Sequence, residues 1–294
     1  MERYRQAIAK AFGRDPSEIT DMRLLGTGMT NRSCVFTVDG RRYVLRMPGE
    51  GTGRILDRKK ESEVYDVLKG TGISENVVYF DLSNGLKISE YLEGSRHCDP
   101  GSPEDVRACM AFLRNFHEKA FKVGHSVDIF ERIEFYESLW RGCILPFPDY
   151  DGTKEKVFRL KGIIDSLPRV LSLTHMDAVP DNFLLVDGGI RLIDWEYSAM
   201  QDPLVDIALF ALHSMYGSEQ LDSLLDSYFT EGCPYEARVK VYCYMAACGL
   251  MNSNWCGYMS LLGGQLGEYS RRQYDYARQY CETAVKLTRP PAEK

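Results

Sequence analysis

At 294 residues, with 44% hydrophobic and 27% charged positions, the chain has the material for one large or two modest globular domains, which excludes disordered and fibrous classes. Its formal charge of −6 is spread without a basic block, so nothing supplies the cationic stripe that a nucleic-acid backbone needs, and no nucleic acid is expected as partner. Nine cysteines without a CxxC pair or zinc spacing fit buried thiols of a cytoplasmic protein; neither the charged N-terminal MERYRQAIAKAFGRD nor the stretch from Leu204 to Leu212, interrupted by Asp206, reads as a signal peptide or a membrane span.

Short strands dominate up to about residue 92 and helices dominate after it, an α+β pattern divided into residues 1–92 and 93–294. Three apolar or β-branched runs, MRLLG, SCVFTV and RYVLRM, fill residues 22–47, and Asp39-Gly40 joins the last two as a two-residue hairpin turn. Leu56, Val64, Val67 and Leu68 recur at helical spacing before Gly70 and Gly72, which predicts one helix over 56–69. NVVYF and GLKISEYL then read as two further strands around Ser83-Asn84-Gly85. Ser102 opens the helical part, with Pro103 at the first helical position, acids in the first turn, and Val106, Met110, Leu113 and Phe116 along one face. One β element returns later, FLLV and IRLID around Asp187-Gly188-Gly189, and helical patterns occupy 203–231, 235–262 and 267–288.

The segment T-H-M-D-A-V-P-D-N carries His175, Asp177 and Asn182, and twelve residues after the Asn stands Asp194, followed by Glu196. Phosphoryl transfer from ATP to an alcohol needs a carboxylate that accepts the hydroxyl proton, and an amide oxygen with a second carboxylate to hold Mg²⁺. Asp177 five residues before Asn182 lets one loop present both groups, and a hairpin returns the chain to Asp194. Each residue singly is a common cap or turn former; the ordered set is what points to this chemistry. His175 is expected to brace the loop rather than titrate.

Between the first two strands, Gly26, Gly28, Thr30 and Asn31 let backbone N–H groups approach phosphate oxygens, although a glycine-containing hairpin would look alike. Arg46 on the third strand can set a fixed positive charge over nucleotide phosphates. Its carboxylate partner on the following helix is Glu61 or Glu63, which periodicity hardly separates. Glu90 and Leu92 can offer backbone groups to adenine or simply connect the two parts.

With these residues assembled, the chain resembles the aminoglycoside phosphotransferase and choline kinase superfamily, and within it the bacterial Lic-type choline kinases. The resemblance runs through G-T-G-M-T-N, V-L-R-M, D-R-K-K-E, G-L-K-I-S-E-Y-L, H-M-D-A-V-P-D-N, L-I-D-W-E-Y-S-A-M-Q-D-P-L-V-D-I-A and G-E-Y-S-R-R-Q-Y, nearly the whole chain. It implies a protein-kinase-like two-lobe fold, with a small antiparallel sheet and one helix in the first lobe and a larger helical second lobe. It further implies Asp177 as base, Asn182 and Asp194 as magnesium ligands, Glu61 paired with Arg46, Glu90, Tyr91 and Leu92 as the adenine hinge, and a monomer or homodimer.

For substrate, the resemblance implies a small amino alcohol, choline first, bound through Glu196 and the rings of Tyr197, Tyr216, Trp255, Tyr258 and Tyr269. Aromatic faces suit a quaternary ammonium, each contributing about 0.5–2 kcal/mol. Trp255 and Tyr258, three apart, share a helical face. Two departures keep ethanolamine open: Asn252 stands where related choline kinases usually carry a further Trp, and His213 where they often carry a Glu. An aminoglycoside or sugar kinase and an inactive nucleotide-binding relative are the alternatives.

Overall fold

The computed structural model describes residues 1–26, 30–143 and 147–288. Its elements run α1 (Glu2–Phe12), β1 (Thr20–Leu24), β2 (Asn31–Val38), β3 (Arg41–Pro48), α2 (Thr52–Ile55), α3 (Arg58–Leu68), β4 (Val77–Phe80), β5 (Lys87–Glu90), β6 (Arg96–His97), α4 (Pro103–Glu118), α5 (Ile129–Trp140), α6 (Tyr150–Ser166), β7 (Ser172–Thr174), β8 (Phe183–Val186), β9 (Gly189–Leu192), β10 (Ala199–Gln201), α7 (Leu204–His213), α8 (Ser218–Tyr228), α9 (Tyr235–Leu261) and α10 (Gly267–Leu287). Two compact units result, one of Met1–Arg96 with Leu184–Tyr197, the other of His97–Phe183 with the chain from Ser198 onward.

The first unit is built on a five-stranded sheet in the order β1-β2-β3-β5-β4, all neighbours antiparallel. Asp39 and Gly40 both take positive φ, 51° and 72°, in the turn between β2 and β3, the geometry that suits the twist of a tight hairpin. Phe36, Tyr43, Leu45 and Ile88 face one side and pack with Ile8 and Ile19. The expectation of a single helix in this part is corrected here. α1 is amphipathic, buries Ile8 and Ala9, and stops at Gly13 in the left-handed region, while the short α2 precedes α3. α3 starts at Arg58 rather than 56, because the Asp57 side chain accepts the N–H groups of Lys59 and Lys60 and leaves Leu56 extended.

The hairpin of β8 and β9 also clusters with the sheet, although it lies far beyond residue 92. Its Leu192 N–H donates to Ile73 O at 2.9 Å, a long-range bond that composition along the chain does not signal.

In the second unit α9 is the central helix, buried along most of its 27 residues and packed by α5, α6, α7 and α10. Gly249 lets α10 approach: a Cβ there would meet Gln273 O at 2.8 Å. The stretch 203–231 is two helices rather than one, because Met215 at φ 56° breaks it between α7 and α8. The paired strands β7 and β10, and the helices α5 and α6, have no counterpart in the sequence reading. The nine cysteines, all among the described residues, are unbridged thiols. No described helix is long and apolar enough to cross a membrane.

Candidate active site

In the first unit the alternation of β3 turns Leu45 into the core and Arg46 to the other face, where it is only 4% exposed. A buried guanidinium needs partners, and it has three carboxylates, Glu61, Asp194 Oδ1 at 2.8 Å and Glu196 Oε2 at 3.3 Å, besides Gly85 O at 3.2 Å. Glu61, not Glu63, is the α3 carboxylate that Arg46 reaches. Burial opposes its charge, but Glu196, Glu61 and Asp194 together hold Arg46 well above its ordinary range. Arg58, which the sequence reading passed over, joins Glu61 at 2.6 Å and Glu196 at 3.1 Å. Three carboxylates thus share two guanidinium groups, and burial with the nearby Asp194 charge raises the Glu196 carboxyl.

Glu196 is therefore corrected from a substrate contact to a member of this ion-pair network. Its second oxygen accepts the Asn31 side-chain amide at 3.0 Å, so Asn31, expected at the phosphates, is committed to Glu196. Asp194 keeps its side chain 31% exposed despite the Arg46 contact. Its φ of 70° is strained for a non-glycine residue, and Tyr65 Oη, 3.4 Å away, accepts the N–H of the following Trp195.

Gly26 and Thr30 lie between β1 and β2, and Gly28 lies outside the described residues. Thr30 approaches Gly49 so closely that a Cβ there would meet Thr30 O at 2.0 Å, a requirement for glycine that the sequence reading missed. At the end of β5, Glu90 N–H donates to Asn76 O at 2.9 Å and Tyr91 N–H to Arg42 O at 3.0 Å. The Leu92 N–H donates no backbone hydrogen bond among the described residues.

In the second unit β7 delivers the chain to His175, whose backbone N–H donates to Asp206 Oδ2, while Met176 N–H donates to Oδ1, both at 2.8 Å. His117 Nε2 donates to the same carboxylate at 3.0 Å, and Ser198 Oγ donates to His175 O at 3.0 Å. These bonds hold Met176 at φ 64° immediately before Asp177. The sequence signal for Asp206 was available: it is the one charged residue in the nine apolar-flanked positions from Leu204 to Leu212, and a charge buried there demands donors.

Asn182 donates its side-chain amide to Asp177 O at 2.8 Å and to Asp177 Oδ2 at 3.1 Å. With the nitrogen so engaged, its Oδ1 is the atom that can face a cation. The hairpin of β8 and β9 begins at the next residue, and Asp194 stands two residues after its end.

Of the ring candidates, Trp255 and Tyr269 in the second unit and Tyr197 in the first are half-buried. Two are corrected. Tyr258 is 2% exposed with no ligand present, so no solvent-sized group reaches it and it packs as core. Tyr216 is buried against Phe210 and donates its hydroxyl to Pro100 O at 2.6 Å. Tyr269 Oη lies 3.2 Å from His213 Nε2, and the Asn252 amide reaches His213 at 3.4 Å and Gln273 Oε1 at 3.2 Å. The two departing residues thus touch each other. Burial, with Cys256 and the Asp177 carboxylate, pushes the Tyr269 phenol up, and burial pulls the His213 imidazole down to about 4.

The profile of the phosphotransferase enzyme family matches residues 21–242. The chain belongs to the phosphotransferase enzyme family. This phosphotransferase is 24% identical to protein LicA of Haemophilus influenzae over 269 residues, 87% of this chain and 78% of that one. The crystal structure of choline kinase LicA from Streptococcus pneumoniae superposes with a TM-score of 0.85 at 27% identity, covering 96% of this chain and 98% of that one. LicA in complex with AMP gives 0.84 at 26% identity, with 96% and 98% covered. The antiparallel sheet followed by a helical part is accordingly the kinase-like fold of these proteins.

Among the described residues of the phosphotransferase, no group of three or more His, Cys, Asp or Glu stands ready to hold a metal. Magnesium asks for less, one or two protein oxygens together with substrate phosphates. Asn182 Oδ1 and the partly exposed Asp194 carboxylate are hard oxygen donors of that kind.

Proposed function

We propose that this phosphotransferase moves the terminal phosphoryl group of ATP to the hydroxyl of a small amino alcohol, with choline the first candidate. The observation that carries the reading is Asp177, held by Asn182 at 3.1 Å on a loop that Asp206 fixes. The Asp177 carboxylate takes the hydroxyl proton as the alcohol oxygen bonds to the γ-phosphorus; the bond to the bridging oxygen breaks and ADP leaves. Arg46, fixed by Glu61, sets positive charge toward the phosphates. Asn182 and Asp194 would hold magnesium, which when bound neutralises phosphate charge. The sheet-bearing unit takes the nucleotide, with Glu90 to Leu92 at the base, and the helical unit takes the alcohol through Trp255 and Tyr269. The LicA relatives, one described as a choline kinase and one bound to AMP, support both halves of the reading.

Ethanolamine is the second reading, favoured by one feature: Asn252, His213 and Tyr269 form a hydrogen-bonding patch, which a primary ammonium can use and a quaternary one cannot. The proposed setting is the cytoplasm, in keeping with nine unbridged cysteines. ADP release measured with magnesium and a panel of choline, ethanolamine and kanamycin tests the proposal. Turnover with choline or ethanolamine is expected; no turnover with any alcohol sinks the catalytic reading, and preference for kanamycin sinks the substrate assignment.

A further inference from the structure

Within the first unit, the three carboxylates that share Arg46 and Arg58 differ in their access to solvent: the side chain of Glu61 is 0% exposed, that of Glu196 2% and that of Asp194 31%. Arg58 serves the two inner ones through Nη1, which donates to Glu61 Oε2 at 2.6 Å and to Glu196 Oε2 at 3.1 Å. Arg46 divides its terminal nitrogens. Nη2 turns to Glu61 Oε1, while Nη1 lies between the inner Glu196 Oε2 at 3.3 Å and the outer Asp194 Oδ1 at 2.8 Å.

Arg58 is itself held from two sides. Its Nη2 donates to Thr52 Oγ1 at 3.3 Å, and Thr52 Oγ1 donates to Gly49 O at 2.8 Å. Its stem crosses Gly85, in the turn between β4 and β5, so closely that a Cβ there would meet Arg58 Nε at 2.2 Å. Gly85 takes a φ of 76°, and its carbonyl accepts Arg46 Nη2 at 3.2 Å. One glycine turn thus seats both guanidinium groups against the same pair of inner carboxylates.

Carboxylates this deeply buried demand positive charge and donors. Without Arg58, Glu61 Oε2 loses its donor at 2.6 Å and Glu196 Oε2 is left with the longer contact to Arg46 Nη1. Arg46 would then be drawn inward, away from Asp194 and from solvent. We propose that Arg58 is a positioning residue for phosphoryl transfer: by satisfying Glu61 and Glu196 it leaves Arg46 Nη1 directed to the exposed side, where nucleotide phosphate can meet it. This role rests on Arg46 as the phosphate-binding charge, the assignment proposed above, and adds the residue that keeps that charge available.

Calorimetric titration of a non-hydrolysable ATP analogue with magnesium into the full chain tests this, with adenosine as the phosphate-free control. Arg58→Met is expected to weaken the analogue by at least about tenfold, as loss of a charge-assisted hydrogen bond to phosphate implies, and to leave adenosine within about twofold of wild type. Arg58→Lys keeps the charge that the buried carboxylates need, but a single nitrogen cannot span Glu61, Glu196 and Thr52 as the planar fork does. It is expected to weaken the analogue by at least about threefold, again sparing adenosine, and it decides the matter should Arg58→Met fail to fold. Arg46→Met separates the two assignments and is expected to lose the analogue at least as far as Arg58→Met. If Arg46→Met binds the analogue as wild type does, the charge assigned to Arg46 falls and the role of Arg58 with it. If Arg46→Met loses affinity while the folded Arg58 variants keep it, the role of Arg58 alone is overturned. Equal losses for the analogue and adenosine would also overturn it, because Arg58 would then only hold the unit together.

Discussion

Asp206 accepts the backbone N–H of His175 at 2.8 Å, and with its other oxygen that of Met176, so one buried carboxylate fixes the two peptide units before Asp177. Replacing it with Ala leaves two buried N–H groups and His117 without their acceptor. Asp206→Ala is expected to lose about 2–5 kcal/mol of stability, read from urea unfolding. In the protein that remains folded, kcat should fall more than KM for either substrate, because the loop that presents the base is loosened. A variant as stable as wild type would mean that these bonds do not hold the loop.

Asp177 itself contributes little to packing, being half-buried and bonded through Asn182. Asp177→Ala is therefore expected to keep nucleotide affinity, measured by calorimetry, while turnover falls by at least about 10²–10⁴, the usual contribution of a positioned base. Near wild-type turnover would remove Asp177 from the role of base.

Glu196 lies among Arg46, Arg58 and Asn31, and its removal strands charge in the interior. Glu196→Ala is expected to cost about 3–5 kcal/mol, the typical penalty for breaking a buried pair from one side. Its effect on substrates separates a network role from a substrate role: KM for ATP should rise through Arg46, with KM for the alcohol little changed. The reverse pattern would return Glu196 to the alcohol site.

Much of this was legible in the sequence where the signal is local. Asp39-Gly40 specified the hairpin between β2 and β3, Ser102-Pro103 specified the start of α4, and the spacing of Asp177 and Asn182 put both on one loop, though not the bond between them. Signals that depend on distant partners were not legible. Nothing near Glu196 in the sequence says that Arg58 will claim it, and Glu61 cannot be told from Glu63 until α3 is placed against β3. α5 was missed although it carries a local signal, Asp128, whose side chain accepts the N–H groups of Phe130 and Glu131; α6 has no such side-chain cap and is defined by its contact with α9 and α10. Tyr216 and Tyr258 looked like ligand surfaces because burial is invisible in composition.

Trp255 remains the ring most suited to an ammonium substrate, half-buried on α9 with an indole N–H that has no hydrogen-bond partner among the described residues. Trp255→Ala is expected to raise KM for choline by about 2- to 30-fold, the worth of one aromatic face, and to leave KM for ATP unchanged. Equal rises in both would mean that the ring only packs.

The pH dependence of stability gives an independent view of the patch formed by His213, Asn252 and Tyr269. Burial lowers the His213 imidazole from 6.5 to about 4, so in the folded protein it stays neutral where the unfolded chain has already taken up a proton. Between these two values the unfolded state binds more protons, and stability therefore falls as pH drops from about 6.5 toward about 4. The full gap corresponds to about 3 kcal/mol, reduced by the solvent that reaches the half-buried ring. His213→Gln retains a hydrogen-bonding side chain and has nothing to titrate, so the difference between wild type and variant isolates the histidine. Urea unfolding at intervals from pH 7 to pH 4 should show wild type losing stability relative to His213→Gln, with the change concentrated in that window. Parallel curves would mean that His213 takes up its proton as readily in the folded protein as in the unfolded chain, and the alcohol site would then carry a cation of its own at mildly acid pH.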